Sequence, residues 1–337
     1  MLAQLLRGIP ADPRVLVGPG IGRDAAVIDI GNGRVLVAKT DPITFATELA
    51  GWYAVNVNAN DIACMGAEPQ WMLATALLPD GVADALPSEI FRQLLDACEN
   101  LGVALVGGHT EVTIGLDRPI VVGAMFGEAA RDDIVSGDGI EDGDVVMITK
   151  GIAIEGTALL ARESADALAM RGVDARTIER ARDMLFAPGI SVVEDARAVR
   201  RAAKPRLMHD PTEGGLATAL YEMAEAAERT IRIDLEAVPI FEDTRAICGA
   251  LGLDPMGLLS SGALLAIIGR EHVAAVTSEL ARVTIDGRII GTVERGDARV
   301  IMGAEESASP LPTFDRDELA RFYDVVETDR ERVPRKE

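Results

Sequence analysis

Asn58-Ala59-Asn60-Asp61-Ile62-Ala63-Cys64-Met65-Gly66, residues 58–66, closes a stretch (50–66) whose pattern predicts one helix ending at Gly66. This helix carries Asn56, Asn60 and Asp61 on adjacent faces of an otherwise apolar run. A polar stripe on a surface helix is the plain explanation. Ile62, Ala63, Cys64 and Met65 follow directly, however, and leave little of the helix to face solvent. An acid in that setting needs a partner. Working outward, the same kind of acid recurs as Asp24 in Gly-Arg-Asp-Ala-Ala-Val, Asp41 in Lys-Thr-Asp-Pro and Glu111 in Gly-Gly-His-Thr-Glu. Taken singly, Asp41 reads as a turn aspartate and Asp24 as the start of a strand. Taken together, carboxylates from several elements are what Mg²⁺ needs when it carries a nucleotide polyphosphate. The set points to ATP chemistry in a chain with no G-x-x-x-x-G-K-[ST] loop.

Composition bounds the alternatives. The chain has 337 residues, 48% of them hydrophobic, which is enough for two well-formed cores. Its net charge of −21 repels phosphate backbones and anionic lipid, which argues against nucleic-acid and membrane-surface partners. A nucleotide site on such a chain must be offset locally by metal ions and backbone N–H groups. Cys64, Cys98 and Cys248 each lie in an apolar helical stretch, and no C-x-x-C pair exists. They read as buried free thiols of a reducing compartment. With no signal-peptide pattern and no apolar run of spanning length, the expected location is cytoplasmic.

Residues 25–30 and 34–39 predict strands joined by a Gly31-Asn32-Gly33 hairpin turn. Strands follow at 71–78, 103–106, 119–128 and 145–149, with a helix from 87 to 100 and a turn at Gly107-Gly108. The second half predicts helices at 154–163, 174–185, 191–203, 213–228, 241–250 and 271–281, with strands at 263–269 and 288–294. Hairpins mixed with helices indicate an α+β fold rather than a doubly wound sheet. The expected division is an N-terminal domain 1–150, a C-terminal domain 151–310, and a helical, charged tail 311–337.

Two glycine pairs stand out. Gly107-Gly108 follows a buried strand and precedes His109, Thr110 and Glu111; paired glycines suit either an anion nest or a plain hairpin. Gly214-Gly215 falls in the first turn of a predicted helix, where each glycine costs about 1 kcal/mol relative to alanine. Either a bound anion or tight packing would require it. In His209-Asp210-Pro211-Thr212-Glu213, Asp210 is expected to cap that helix, with Pro211 in its first turn and Glu213 as the capping-box acid. His109 and His209 each lie beside a glycine pair; His272 opens a helix.

The ordered set resembles the AIR synthase superfamily, the PurM-like ATP-binding fold. Its members include aminoimidazole ribonucleotide synthase, the HypE hydrogenase-maturation protein, selenophosphate synthetase and thiamine-monophosphate kinase. The matching segments are Arg23 to Val27, Thr40-Asp41-Pro42, Asn60 to Pro69, Gly107 to Glu111, Lys150 to Gly156, His209 to Leu216 and Leu251 to Pro255. The resemblance implies an N-terminal α/β domain that dimerises into a barrel and a C-terminal α/β sandwich domain. It implies Asp24, Asp41, Asp61 and Glu111 as Mg²⁺ ligands. Asn60, Gly107, Gly108, His109, Thr110, Gly214 and Gly215 would bind ATP, and Asp61, His209 and Asp210 would be catalytic. The expected activity is ATP-dependent phosphorylation of an amide-like or other oxygen, on a small molecule or on a carbonyl of a partner protein. A small-molecule kinase and a nucleotide-binding assembly factor without turnover are the alternatives.

The HypE subgroup is the nearest in pattern, and the departures from it are specific. HypE ends in a cysteine that accepts a carbamoyl group, whereas this sequence closes Val333-Pro334-Arg335-Lys336-Glu337 with no cysteine after Cys248. His109 stands where HypE usually has Asp, and Glu213 where it usually has Arg. Arg23 precedes Asp24, where the family usually has two acids.

Overall fold

A computed structural model describes residues 9–20, 25–44, 48–304 and 307–324. The chain divides into two compact units between Ser136 and Gly137.

The first unit is a six-stranded sheet with helices. Its elements are β1 (Val15–Val17), β2 (Ala26–Gly31), β3 (Arg34–Ile43), α1 (Ala50–Cys64), β4 (Glu68–Pro79), α2 (Ala85–Leu101), β5 (Ala104–Thr113) and β6 (Ile120–Ala130). The strand order is β1-β2-β3-β6-β4-β5. The β2–β3 hairpin turns at Asn32 and Gly33, with φ of 54° and 69°, as expected for a two-residue loop between twisted strands. Only β4 and β5 run parallel, because α2 crosses over between them. The apolar positions of α1 pack on β3, β4 and β6, and nearly every one of its residues is buried. Its approach to β6 is close: a Cβ at Gly123 would lie 2.4 Å from Asn58 Nδ2.

One expected strand is too short. Residues 103–106 were to end at a Gly107-Gly108 turn, but β5 runs through both glycines to Thr113. The register slips by one residue between Met72↔Leu105 and Leu73↔Gly107, so the break is a bulge at Val106 and not a turn.

The second unit is a seven-stranded sheet of β7 (Val145–Thr149), β8 (Leu207–His209), β9 (Thr230–Ile233), β10 (Leu265–Ile268), β11 (Gly287–Glu294), β12 (Arg299–Met302) and β13 (Ser309–Pro310). They lie in the order β13-β12-β9-β11-β7-β10-β8, antiparallel except for β9 with β12. The helices are α3 (Ile154–Glu163), α4 (Ala165–Met170), α5 (Ala175–Asp183), α6 (Val193–Ala202), α7 (Gly215–Ala227), α8 (Glu242–Leu251) and α9 (Val273–Arg282). The expected boundary near residue 150 is therefore too late. Val145–Thr149 is an inner strand of the second sheet, buried at every position and paired on both sides. Its end is pinned to α6. Thr149 Oγ1 donates to Asp195 Oδ1 at 2.6 Å, and Lys150 Nζ meets Asp195 Oδ2 at 3.1 Å. Both units mix helices with largely antiparallel sheets, which makes the fold α+β.

Candidate functional site

In α1 the helix backbone absorbs part of the polar load. Asn56 Nδ2 donates to Trp52 O at 2.9 Å and Asn58 Nδ2 to Ala54 O at 2.8 Å, each one turn back. Asn58 Nδ2 also reaches Asp41 O at 3.4 Å, tying α1 to β3. Asn60 and Asp61 are 0% and 4% exposed. A carboxylate that deep requires a counter-charge, and β3 supplies it. Lys39 and Asp41, two apart on a strand, share one face. Lys39 Nζ lies 3.0 Å from Asp61 Oδ2 and 3.5 Å from Asp41 Oδ2. Two carboxylates from different elements thus converge on one cation seat.

Of the other expected metal ligands, Glu111 does not join them. Across the sheet, Asp41 is in register with Gly123, Gly123 with Ala74, and Ala74 with Gly108. These positions share the face covered by α1. His109 and Glu111 pair with Thr75 and Leu77, and alternation puts them on the opposite face. Three strand spacings, roughly 14 Å in all, separate Asp41 from β5. On that far face His109 Nε2 and Glu111 Oε2 stand 3.4 Å apart, both exposed. Asp24 lies outside the described residues. Among the described residues no group of three or more His, Cys, Asp or Glu side chains could hold a metal. Two carboxylates nevertheless suit Mg²⁺, which dehydrates reluctantly and commonly takes one or two protein carboxylates together with substrate phosphates.

Gly108 has a packing reason to be glycine. A Cβ there would lie 1.8 Å from the Ala74 carbonyl oxygen on the neighbouring strand. Gly107, Gly108, His109 and Thr110 border a cavity of about 420 Å³ under α2. Its walls include Ala74, Ile90, Phe91 and Leu94, a lining for an aromatic or aliphatic group rather than for phosphate.

In the second unit, the expected capping arrangement at residues 210–213 is replaced by another. The first helical residue of α7 is Gly215, and its N-cap is Gly214, in the left-handed region at φ 78° with no side-chain cap. Gly214 N donates to Asp317 Oδ2 at 2.7 Å, so an intrachain carboxylate already sits at this helix start. Gly215, at φ 63°, presses against the 255–258 segment, and a Cβ would meet Met256 O at 2.6 Å. Tight packing accounts for the pair.

Around that helix start four acids interact: Glu155, Asp210, Glu213 and Asp317. Glu155 is buried in the first turn of α3, where Ser260 Oγ accepts the Ala153 N–H at 2.7 Å. Burial pushes its carboxyl up to about 7, against a Ser261 hydrogen bond and with help from the other three acids. Burial also raises Asp317, opposed by the N–H groups of Gly214, Leu319 and Leu259. His209, at the end of β8, places Nε2 3.0 Å from Glu222 Oε2. A carboxyl that titrates near neutrality can give or take a proton at the pH of ordinary chemistry.

Family models decide what these two units are. Residues 22–129 match the AIR synthase related protein N-terminal domain, and residues 141–303 match its C-terminal domain. The chain belongs to the AIR synthase related family. Within it, the chain is 29% identical over 275 residues to the carbamoyl dehydratase HypE of Rhizobium leguminosarum, covering 77% of this chain and 73% of that protein. It is 31% identical over 268 residues to the selenide, water dikinase of Nitratidesulfovibrio vulgaris, covering 76% and 71%. A crystal structure of hydrogenase maturation protein HypE in complex with ATP superposes with a TM-score of 0.67 at 22% identity, covering 94% of this chain and 96% of that one.

Three residues stand out that the sequence had not singled out: Lys39 and Asn58 in the first unit, and Glu155 in the second. Lys39 had a signal in the sequence, since Lys39-Thr40-Asp41 alternates on a strand. The Asn58 link to Asp41 and the burial of Glu155 depend on segments far away in the chain.

Proposed function

We propose that this protein binds ATP with Mg²⁺ and transfers the γ-phosphoryl group to an oxygen of an acceptor, releasing ADP. The acceptor is a small molecule or a carbonyl of a partner protein, and its activated oxygen then leaves as phosphate. The observation that carries the reading is the convergence of Asp41 and Asp61 on one cation seat. It is supported by the likeness to an ATP-complexed HypE structure, to a carbamoyl dehydratase and to a selenide, water dikinase.

In this reading Asp41 and Asp61 hold the metal ion, and Asn60 binds the nucleotide from the same helix. When bound, Mg²⁺ offsets charge on the phosphates. The acceptor oxygen bonds to the γ-phosphorus as the bond to the β–γ bridging oxygen breaks, and ADP keeps that electron pair. Positioning and fixed charge do the catalysis rather than a covalent enzyme intermediate. The thiols are unsuited to one: all three are buried, and burial pushes Cys98 up to about 11 and Cys248 up to about 12. His209, Asp210 and Glu155 form the proton-handling set of the second unit.

A homodimer is part of the proposal. Among the described residues β5 ends the sheet order with one edge unpaired, and Val106, Val112 and, just past the strand, Ile114 are exposed at 56%, 57% and 92%. Such an edge is a template for another strand, and a second copy of the chain offers the same edge. No helix among the described residues is long and apolar enough to cross a membrane.

The test is phosphorus NMR of the protein incubated with Mg²⁺, ATP and a small-molecule extract. ADP with free phosphate supports activation and release. ADP with a new phosphorylated product would make the protein a kinase. No ADP above a protein-free control contradicts turnover.

A further inference from the structure

The cation seat at Asp41 and Asp61 is already filled by the chain itself. Lys39 Nζ sits 3.0 Å from one carboxylate and 3.5 Å from the other. The seat is closed on one side and open on the other, with the Lys39 side chain 15%, the Asp61 side chain 6% and the Asp41 side chain 37% exposed. Asn58 Nδ2 reaches the Asp41 carbonyl at 3.4 Å, which ties the strand that carries Asp41 to the helix that carries Asp61.

We infer that Lys39 is an exchangeable internal cation that couples metal binding to nucleotide binding. The inference rests on the nucleotide reading above and adds to it a thermodynamic role for this lysine. An ammonium and a divalent cation repel each other at such distances, so a metal ion that takes the two carboxylates displaces Lys39. The displaced ammonium, on its flexible four-carbon stem, then needs another anion. A nucleotide phosphate supplies it. Metal alone must break these two lysine ion pairs, whereas metal with nucleotide gives the ammonium a phosphate in exchange. The two ligands therefore bind cooperatively, and by linkage each raises the affinity for the other by the same factor. No bond is made or broken; only ion pairs are exchanged.

Manganese is the probe, titrated with and without a non-hydrolysable ATP analogue and followed by electron paramagnetic resonance. The wild-type protein is expected to bind Mn²⁺ weakly alone and about tenfold or more tightly with the analogue, within the usual range of coupling. Lys39→Met removes the charge and keeps the stem. It is expected to bind Mn²⁺ alone about tenfold more tightly than wild type, with the coupling factor about tenfold smaller than in wild type. Lys39→Arg keeps the charge and is expected to keep the coupling.

Equal Mn²⁺ affinity with and without analogue in the wild-type protein overturns the inference, and this arm needs no variant to fold. Lys39→Met with unchanged Mn²⁺ affinity and unchanged coupling overturns it too, while leaving nucleotide binding intact. Failure of the wild-type protein to bind the analogue at all overturns the nucleotide reading and the coupling together.

Discussion

The start of α7 and the middle of α1 both break the local rules of helices, and they do so for opposite reasons. Gly214-Gly215 is costly in a first turn, yet its surroundings explain it. Asp317 takes the Gly214 N–H, and carbonyls of the 255–258 segment leave no room for a Cβ at Gly215. In α1, Asn58, Asn60 and Asp61 are buried where apolar side chains would pack. What they obtain is a link to Asp41 and a cation held between two carboxylates. A local cost repaid by packing marks structure, whereas a buried polar group that serves only other polar groups marks a site.

The sharpest way to break this comparison is Gly215→Ala. Left-handed strain of about 1–3 kcal/mol adds to overpacking of about 1–3 kcal/mol. Chemical denaturation is expected to show a loss near the middle of the summed range, about 4 kcal/mol. A variant that keeps its stability but loses a ligand would turn the glycine pair into a binding element.

Next is Glu155, whose folded-state carboxyl lies at about 7 against an ordinary 4.5. Between those values the folded protein holds a proton that the unfolded chain has lost, so stability falls as pH rises through this window. The contribution is present below about 4.5 and has gone above about 7, a loss of roughly 3 kcal/mol. Urea unfolding at pH 5 and pH 8 is expected to show most of that loss in wild type and not in Glu155→Gln. Equal pH dependence in both would remove Glu155 as its source.

Asp61→Asn sharpens the other side. With Mg²⁺ present, affinity for an ATP analogue is expected to drop about a hundredfold, equivalent to about 2.8 kcal/mol, with circular dichroism unchanged. Unaltered affinity would take Asp61 out of the site. The smallest effect belongs to Cys248→Ser, expected to cost about 1 kcal/mol of stability by burying a hydroxyl while analogue binding stays the same. A selective loss of turnover would revive a thiol mechanism.

Local signals carried much of the fold. The Gly31-Asn32-Gly33 hairpin, the helix ending near Gly66 and the strand from 145 to 149 were all legible, because turn residues and apolar periodicity act within a few positions. The continuation of β5 through Gly107 and Gly108 was not, because glycine signals a turn unless the neighbouring strand is known to crowd it. Residues 230–233 pair with 299–302 and β11, and 299–302 with 230–233 and β13; four-residue strands have too little pattern to show in sequence. The two acids that meet at Lys39, Asp41 and Asp61, stood out in the sequence as acids in apolar settings. Their separation from Glu111 was not, since it depends on which face of β5 each residue takes after the bulge at Val106.

The most direct test of the central claim is calorimetric titration of the wild-type protein with a non-hydrolysable ATP analogue, with and without Mg²⁺. The Lys39–Asp41–Asp61 seat predicts binding that strengthens about tenfold or more when Mg²⁺ is present. Binding that ignores Mg²⁺, or no binding in either condition, would contradict a metal–nucleotide role for these carboxylates.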